Sequence, residues 1–360
     1  MVCNSKKNNY FSELIFTNEL RILMNSQITI KDIAKALGIS ASTVSRALKN
    51  HPDISRDTKD AVNSLAQKLH YKPNAVALML KNSKTNTIGV IIPEIVHYFF
   101  SSVISGIEEV AYNSGYNVMI CQSNEKYERE IINTQALLSN RVEGALISIS
   151  KETKEFDHLL MLEESGIPIV FFDRVPGGFD SDSVIIDDKK AGYNAVCHLI
   201  ESGCKRIAHL AAPDTLEIGK YRHEGYKQAL KDNNMPYIED YVIVADSFEL
   251  AAIATRKLIQ LPVPPDGIFT VNDLTAVGAM KTLQKMGVAI PDKVAIMGFS
   301  AGSFSDITTP TLSSVDQHGY EMGVKAATVL LKRIESERTG KGETFFIDTN
   351  LVIRESTKRI

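Results

Sequence analysis

Most of the features that assign chemistry to a sequence at first sight are missing from this chain. Its four cysteines, Cys3, Cys121, Cys197 and Cys204, form no Cys-x-x-Cys pair. A zinc ribbon and a dithiol redox centre are therefore not expected, and the thiols read as the reduced cysteines of a cytoplasmic protein. His97, His158, His198, His209, His223 and His318 are scattered without ligand spacing, so no metal is expected. No Gly-x-Gly-x-x-Gly follows a strand and no Walker A sequence occurs, which removes a nucleotide site by motif and leaves no cofactor to expect. No apolar run approaches the roughly 20 residues of a membrane span, so no membrane partner is expected. Lys6 and Lys7 precede "YFSELIFTNELRIL", but Glu13, Asn18, Glu19 and Arg21 interrupt any secretory core. Low-complexity tracts and fixed-period repeats are absent as well.

What is present is ordinary globular material with an uneven charge. The 360 residues are 23% charged, a usage and length that predict two or three compact units. The net charge is only -3, yet residues 28–84 hold ten Lys and Arg against four acids. That is +6 in the segment and -9 elsewhere: a basic head on an acidic body.

The rhythm of the chain changes at the same place. Residues 28–73 read as short helices with polar joints. From Thr87 onward, apolar runs such as "TIGVII", "GALISIS", "IPIVFF", "RIAHLAA", "DGIFTV" and "VAIMGF" alternate with amphipathic stretches, ending on "TFFIDTNLVI". Strand and helix in alternation argue for parallel sheets covered on both faces. Eleven such runs are too many for one open sheet. Two α/β lobes are predicted, divided near Asp187, with the C-terminal strands crossing back between them. Residues 1–27 fall outside this pattern and read as a disordered tail or a mis-assigned start, with Met24 the alternative first residue.

In the head, Thr29 is placed to open a helix with Asp32 three residues on. Ile30, Ile33, Ala34 and Leu37 form its apolar face, and Gly38 permits the positive φ of a sharp turn. Ser40 caps a second helix that turns Val44, Ala47 and Leu48 inward. Ala41, Ser42, Thr43, Ser45 and Arg46 are left largely outside. Small hydroxyl side chains allow close approach to a duplex, and an arginine there can take guanine through two hydrogen bonds. A third helix follows a Ser55 cap, with Thr58, Ala61, Val62, Leu65, Ala66 and Leu69. A three-helix module that binds protein is the other reading; the glycine turn and the basic balance favour DNA. Thr29, Asn50 and Tyr71 complete the DNA-facing set in the head.

The stretch "TIKDIAKALGISASTVSRALKNHPDISRDTKDAVNSLAQKLHYKPNAVALMLK" resembles the head of the LacI/GalR family of bacterial transcription regulators. The resemblance runs from about Ile28 to Arg354, with "FFDR", "VND" and "GF" as weaker marks in the body. It implies an all-α helix-turn-helix head (28–73) and a hinge helix and linker (74–86). The implied body (87–354) is an α/β two-lobed, periplasmic-binding-protein-like effector and dimerisation domain. It further implies a homodimer on double-stranded, palindromic operator DNA and a small-molecule effector, a sugar or sugar derivative. Asn74 to Leu80 match the family's hinge helix. Its length agrees with the physics, because so short an apolar helix is unstable alone and needs a second copy. Ala77 is small enough for two such helices to cross. Leu80 would wedge a base step, with Lys81 beside the groove. An ordinary linker helix packed on the body is the alternative.

One motif points elsewhere. "GFSAG" (298–302) is a literal Gly-x-Ser-x-Gly after an apolar strand, the nucleophile-elbow pattern, with Asp306 or Asp316 and His318 downstream of Ser300. The following "SFSDITTPTLSS" is turn material where the elbow needs a helix, so no enzyme is expected. The resemblance instead sets Ser300 in the cleft between lobes, where many relatives carry an aspartate. Lys220 stands where relatives often carry a clamping arginine, and lysine lacks the planar fork. Together these put an ordinary neutral hexose in doubt. Asp173 with Arg174, and Asn272, follow strand ends, where ligands of open α/β sheets bind. Phe99 and Phe100 are candidates to stack on a ring. Each has a structural alternative: core packing for the phenylalanines, an ion pair for Asp173 and Arg174, and a helix cap for Asp273.

Overall fold

The computed structural model describes residues 28–71, 84–213, 215–336 and 340–359. It divides into two compact units, 1–84 and 85–360. The first is three helices: α1 (Ile30–Leu37), α2 (Ala41–Leu48) and α3 (Arg56–Lys68). Thr29 donates its backbone N–H to the Asp32 carboxylate at 2.9 Å and its hydroxyl at 2.6 Å, fixing the first turn of α1. Those bonds hold the Asp32 carboxyl below its ordinary range. Gly38 ends α1 at φ 65, a conformation that costs glycine nothing. Ser40 and Ser55 accept from the backbone N–H of Thr43 and Thr58, capping α2 and α3. Ile33, Ala34, Val44, Ala47, Val62 and Ala66 meet in the core. Ala61 faces solvent, because it falls off the stripe set by Val62 and Ala66.

The second unit holds two six-stranded sheets. The first is built from β1 (Thr87–Ile92), β2 (Asn117–Gln122), β3 (Gly144–Ile147), β4 (Ile169–Phe172), β5 (Asp182–Ile186) and β11 (Thr344–Ile347), ordered β11-β5-β4-β3-β1-β2 and all parallel. The second contains β6 (Ile207–Ala211), β7 (Val242–Val244), β8 (Gly267–Thr270), β9 (Ala295–Phe299), β10 (Ser313–Asp316) and β12 (Asn350–Val352), ordered β12-β10-β9-β8-β6-β7. Only β12 is antiparallel to its neighbour. The terminal run "TFFIDTNLVI" is therefore two strands, one in each sheet, divided at Asp348 and Thr349. The chain passes between lobes there, after Ile186, and at Gln317 and His318.

Helices cover the sheets: α4 (Tyr98–Asn113), α5 (Tyr127–Ser139), α6 (Asp157–Glu164) and α11 (Gly319–Ser336) on the first, and α7 (Asp188–Glu201), α8 (Glu217–Asp232), α9 (Phe248–Ile259) and α10 (Asp273–Lys285) on the second. Gly106 and Gly323 let α4 and α11 touch backbone to backbone, since a Cβ at either would strike the other helix's main chain. Both sheets reverse their strand order one strand in from an edge, between β3 and β1 and between β8 and β6. Those switch points, at the carboxyl ends of the strands, are where such sheets hold ligands.

Candidate functional site

In the head, Ser40, Ser42, Arg46 and Asn50 are exposed, while Ala41, Thr43 and Ser45 are half-buried at the start and along one side of α2. Ser40 Oγ lies 2.7 Å from Ser42 Oγ and 2.8 Å from Thr43 Oγ1, so its capping role binds it into a hydroxyl cluster. Arg46 stands in the last turn of α2, not in its first half. Asn50 adopts φ 54 just beyond the helix. Thr29 is exposed at the start of α1, and Tyr71 packs against the head core, where burial pushes its phenol up. Asn74, Ala77, Leu80 and Lys81 lie outside the described residues.

In the body, the strand ends of both lobes line one cavity of about 540 Å³. The first lobe contributes Glu94, His97, Phe99, Phe100, Glu125, Lys151, Asp173 and Arg174. The second contributes Arg222, Asp246, Asn272 and Ser300, and Gln317 lies on a crossover between them. Asp173 is held at φ 60, in the left-handed region that a non-glycine residue seldom adopts. Burial pushes its carboxyl up to about 6, against the opposing pull of Arg174 and Arg222. Its ionic partner is Arg174 Nε at 3.8 Å, beyond hydrogen-bond reach. Arg174 Nη1 holds both Glu125 oxygens, at 2.9 and 2.8 Å, while its Nε is buried without a hydrogen-bond partner. Gln317 is in the same state: its Oε1 accepts from Ser300 Oγ at 2.9 Å, and its Nε2 is buried and unpaired.

Asn272 lines the cavity and also caps α10, accepting from Thr275 N–H at 2.8 Å and donating to the Asp246 carbonyl. Asp273 is not the cap. Its buried carboxylate accepts from Ser314 and Ser305 hydroxyls and the Gly302 N–H, tying the loop after β9 in place. Phe99 and Phe100 are buried, edge to face 5.3 Å apart, and still line the cavity.

Lys220 is a correction. It is exposed, stacks 6.0 Å from the Tyr221 ring, and does not line the cavity. Arg222, two residues on, does: it lies 3.7 Å over the Phe299 ring, donates to Asp188 at 2.7 Å and to the Val271 carbonyl at 2.7 Å. The cleft does hold a planar fork, so of the two grounds for doubting a neutral hexose only Ser300 stands. The signal was in the sequence. Ile218, Arg222, Gly225 and Ala229 recur at helical spacing on the buried face of α8, and Lys220 falls on the opposite side. Glu125, Lys151, Asp246 and Gln317 also escaped notice. Each follows a strand end by one to four residues, the one pattern that could have found them.

Around Ser300 the hydrolase arrangement does not form. Its hydroxyl is engaged with Gln317, and His318 Nε2 is bonded to Asn350 at 2.5 Å. The backbone N–H groups of Ser300, Ala301 and Gly302 donate to Val315, Ser314 and Asp273, leaving none for an oxyanion.

Residues 29–74 match the profile of bacterial regulatory proteins, lacI family, and residues 85–355 that of periplasmic binding proteins and sugar binding domain of LacI family. The chain belongs to the LacI family. It is a DNA-binding transcription regulator, with a helix-turn-helix head and a small-molecule effector body. Among its relatives is the ribose operon repressor of Halalkalibacterium halodurans, 34% identical over 92% of this chain and 97% of that protein. The transcriptional repressor CytR of Escherichia coli K12 is 31% identical over 92% and 97%. A LacI-family regulator from Enterococcus faecium, solved with bound ribose, is 28% identical with a TM-score of 0.67, covering 75% of this chain and 98% of that one. Among the described residues, no helix is long and apolar enough to cross a membrane.

Proposed function

We propose that this protein is a cytoplasmic, homodimeric repressor, with no enzymatic activity, whose affinity for a palindromic operator is set by a ribose-type sugar held between the two lobes. The observation that carries the sugar is a set of groups lining the cavity: Arg174 Nε and Gln317 Nε2, buried without a hydrogen-bond partner, and the Asp173 carboxylate, held only by an ion pair at 3.8 Å. A buried polar group without a partner is costly, and two of them beside a carboxylate with no hydrogen bond, around one space of about 540 Å³, call for a ligand that bonds to all three. A sugar hydroxyl does so, since each donates once and accepts twice. The three cations of the cavity, Lys151, Arg174 and Arg222, are already paired with Asp246, Glu125 and Asp188, which favours an uncharged ligand. The two ribose-linked relatives point the same way.

In the head, Ser42, Thr43, Ser45 and Arg46 face the major groove, and Asn74 to Lys81 serve as the hinge in the minor groove. Closure of the lobes on the sugar changes the spacing of the paired hinges and so the fraction of DNA-competent dimer. The test is selection of genomic fragments by the purified protein near physiological salt, repeated with D-ribose. A palindrome whose recovery changes with ribose is the expected result. Recovery indifferent to ribose, with no heat of ribose binding, removes the sugar.

A further inference from the structure

We infer that Lys151 and Asp246 form the ionic bridge that closes the cleft over the effector, with Glu125 positioning it; this rests on the cleft being the effector site. Lys151 Nζ lies 3.1 Å from Asp246 Oδ2. Lys151 follows β3 in the first lobe and Asp246 follows β7 in the second. Away from the crossover segments, it is the only salt bridge among the described residues that joins the lobes.

The bridge is anchored at both ends. In the first lobe, Glu125 Oε2 accepts the Lys151 backbone N–H at 2.9 Å, and the same carboxylate clamps Arg174. Glu125 is itself buried and held at φ 58. In the second lobe, the Asp246 carbonyl accepts from the Asn272 side chain at 3.1 Å. A continuous line therefore runs from Arg174, whose Nε awaits the ligand, through Glu125 and Lys151 to Asp246 and Asn272. Every member lines the cavity. A ligand that fixes Arg174 also fixes Glu125, and with it the backbone that carries Lys151. Lys151 and Asp246 line the cavity but are engaged with each other, so they act as positioning residues.

The experiment compares the full-length wild type with Lys151→Met, Asp246→Asn and the exchange Lys151→Asp/Asp246→Lys. In the ligand-free proteins, hydrogen–deuterium exchange should rise in the loops 148–155 and 245–249 in both single variants and return toward wild type in the exchange. By calorimetry, D-ribose should bind each single variant about fivefold more weakly, the range of a half-exposed pair. Raised salt should narrow that gap, and the exchange should recover most of it. Exchange rates unmoved in both single variants, or a charge exchange no better than either single change, would overturn the bridge. Wild type that ignores ribose yet shows the exchange pattern would keep the bridge and discard the sugar.

Discussion

The head and the cleft satisfy their polar groups in opposite ways. In the head, the caps close locally: Thr29 with Asp32, Ser40 with Thr43, Ser55 with Thr58. The side chains left over, Arg46 and Asn50, stand in solvent, where an unmet hydrogen bond costs little. In the cleft, the leftover groups are buried. Arg174 Nε and Gln317 Nε2 are buried without a hydrogen-bond partner, and the Asp173 carboxylate has only the ion pair to Arg174 at 3.8 Å. A surface for a polyanion can wait in water; a pocket for a small neutral molecule stores its specificity as unmet bonds. The first kind of site is separable from stability and the second is not.

The sharpest test of that difference is Arg222. It is 3% exposed, pairs with buried Asp188, and stacks on Phe299. Arg222→Met should lower folding stability by about 3–5 kcal/mol, because Asp188 is left charged and alone. Chemical denaturation reads it. The double change Arg222→Met/Asp188→Leu should recover much of the loss, and failure to do so would mean the fork, not the charge balance, holds α7 to α8.

Arg46 is the counterpart in the head. Arg46→Ala should leave the denaturation midpoint within experimental scatter, since the side chain is exposed and unpaired within the fold. Operator affinity should fall by about 1–3 kcal/mol, measured by fluorescence anisotropy at fixed salt. If the same loss appears on random duplex, Arg46 touches phosphate; if only on the operator, it reads a base. A large stability loss would break the comparison.

How much of this was legible in the sequence follows the same division. The head's caps, its glycine turn and its inward face are set by residues three or four apart, so a linear reading finds them. The two sheets were legible because parallel strands buried on both faces are apolar throughout. The cleft was only half legible. Asp173, Arg174, Asn272 and Ser300 stand at strand ends and line the cavity, but Lys220 lies outside it, because the helical period places Arg222 inward instead. Gln317, Lys151 and Asp246 meet only when three crossovers bring the lobes together, and no local spacing encodes that. The hinge segment lies outside the described residues.

Gln317 offers a milder test, in which stability and binding part company inside the cleft. Its Oε1 is engaged by Ser300 and its Nε2 is free. Gln317→Glu keeps the acceptor and removes the donor. Ribose affinity should fall about tenfold, the cost of one lost bond in a closed site. Calorimetry gives the number, and unchanged affinity would take Gln317 out of the ligand set.

Asp173 gives the smallest effect and the most diagnostic one. Its carboxyl is pushed up to about 6 by burial. A folded-state value above the ordinary 3.8 means the folded protein holds a proton that the unfolded chain has released. The buried charge is therefore a cost that builds as pH rises from 3.8 to about 6 and is present in full above it, and Asp173→Asn should stabilise the ligand-free protein at pH 7. Ligand binding reverses the sign. Hydroxyls that donate to the carboxylate favour its charged form, so the complex titrates lower than the free protein. Ribose affinity should rise between pH 5 and pH 7 by up to about tenfold and level off above. The Asn variant should show no such slope. A slope that survives in the variant would move the titrating group elsewhere in the cleft, and an affinity that falls with pH would mean that Asp173 meets the ligand as an acid, donating its proton to an oxygen that does not itself donate.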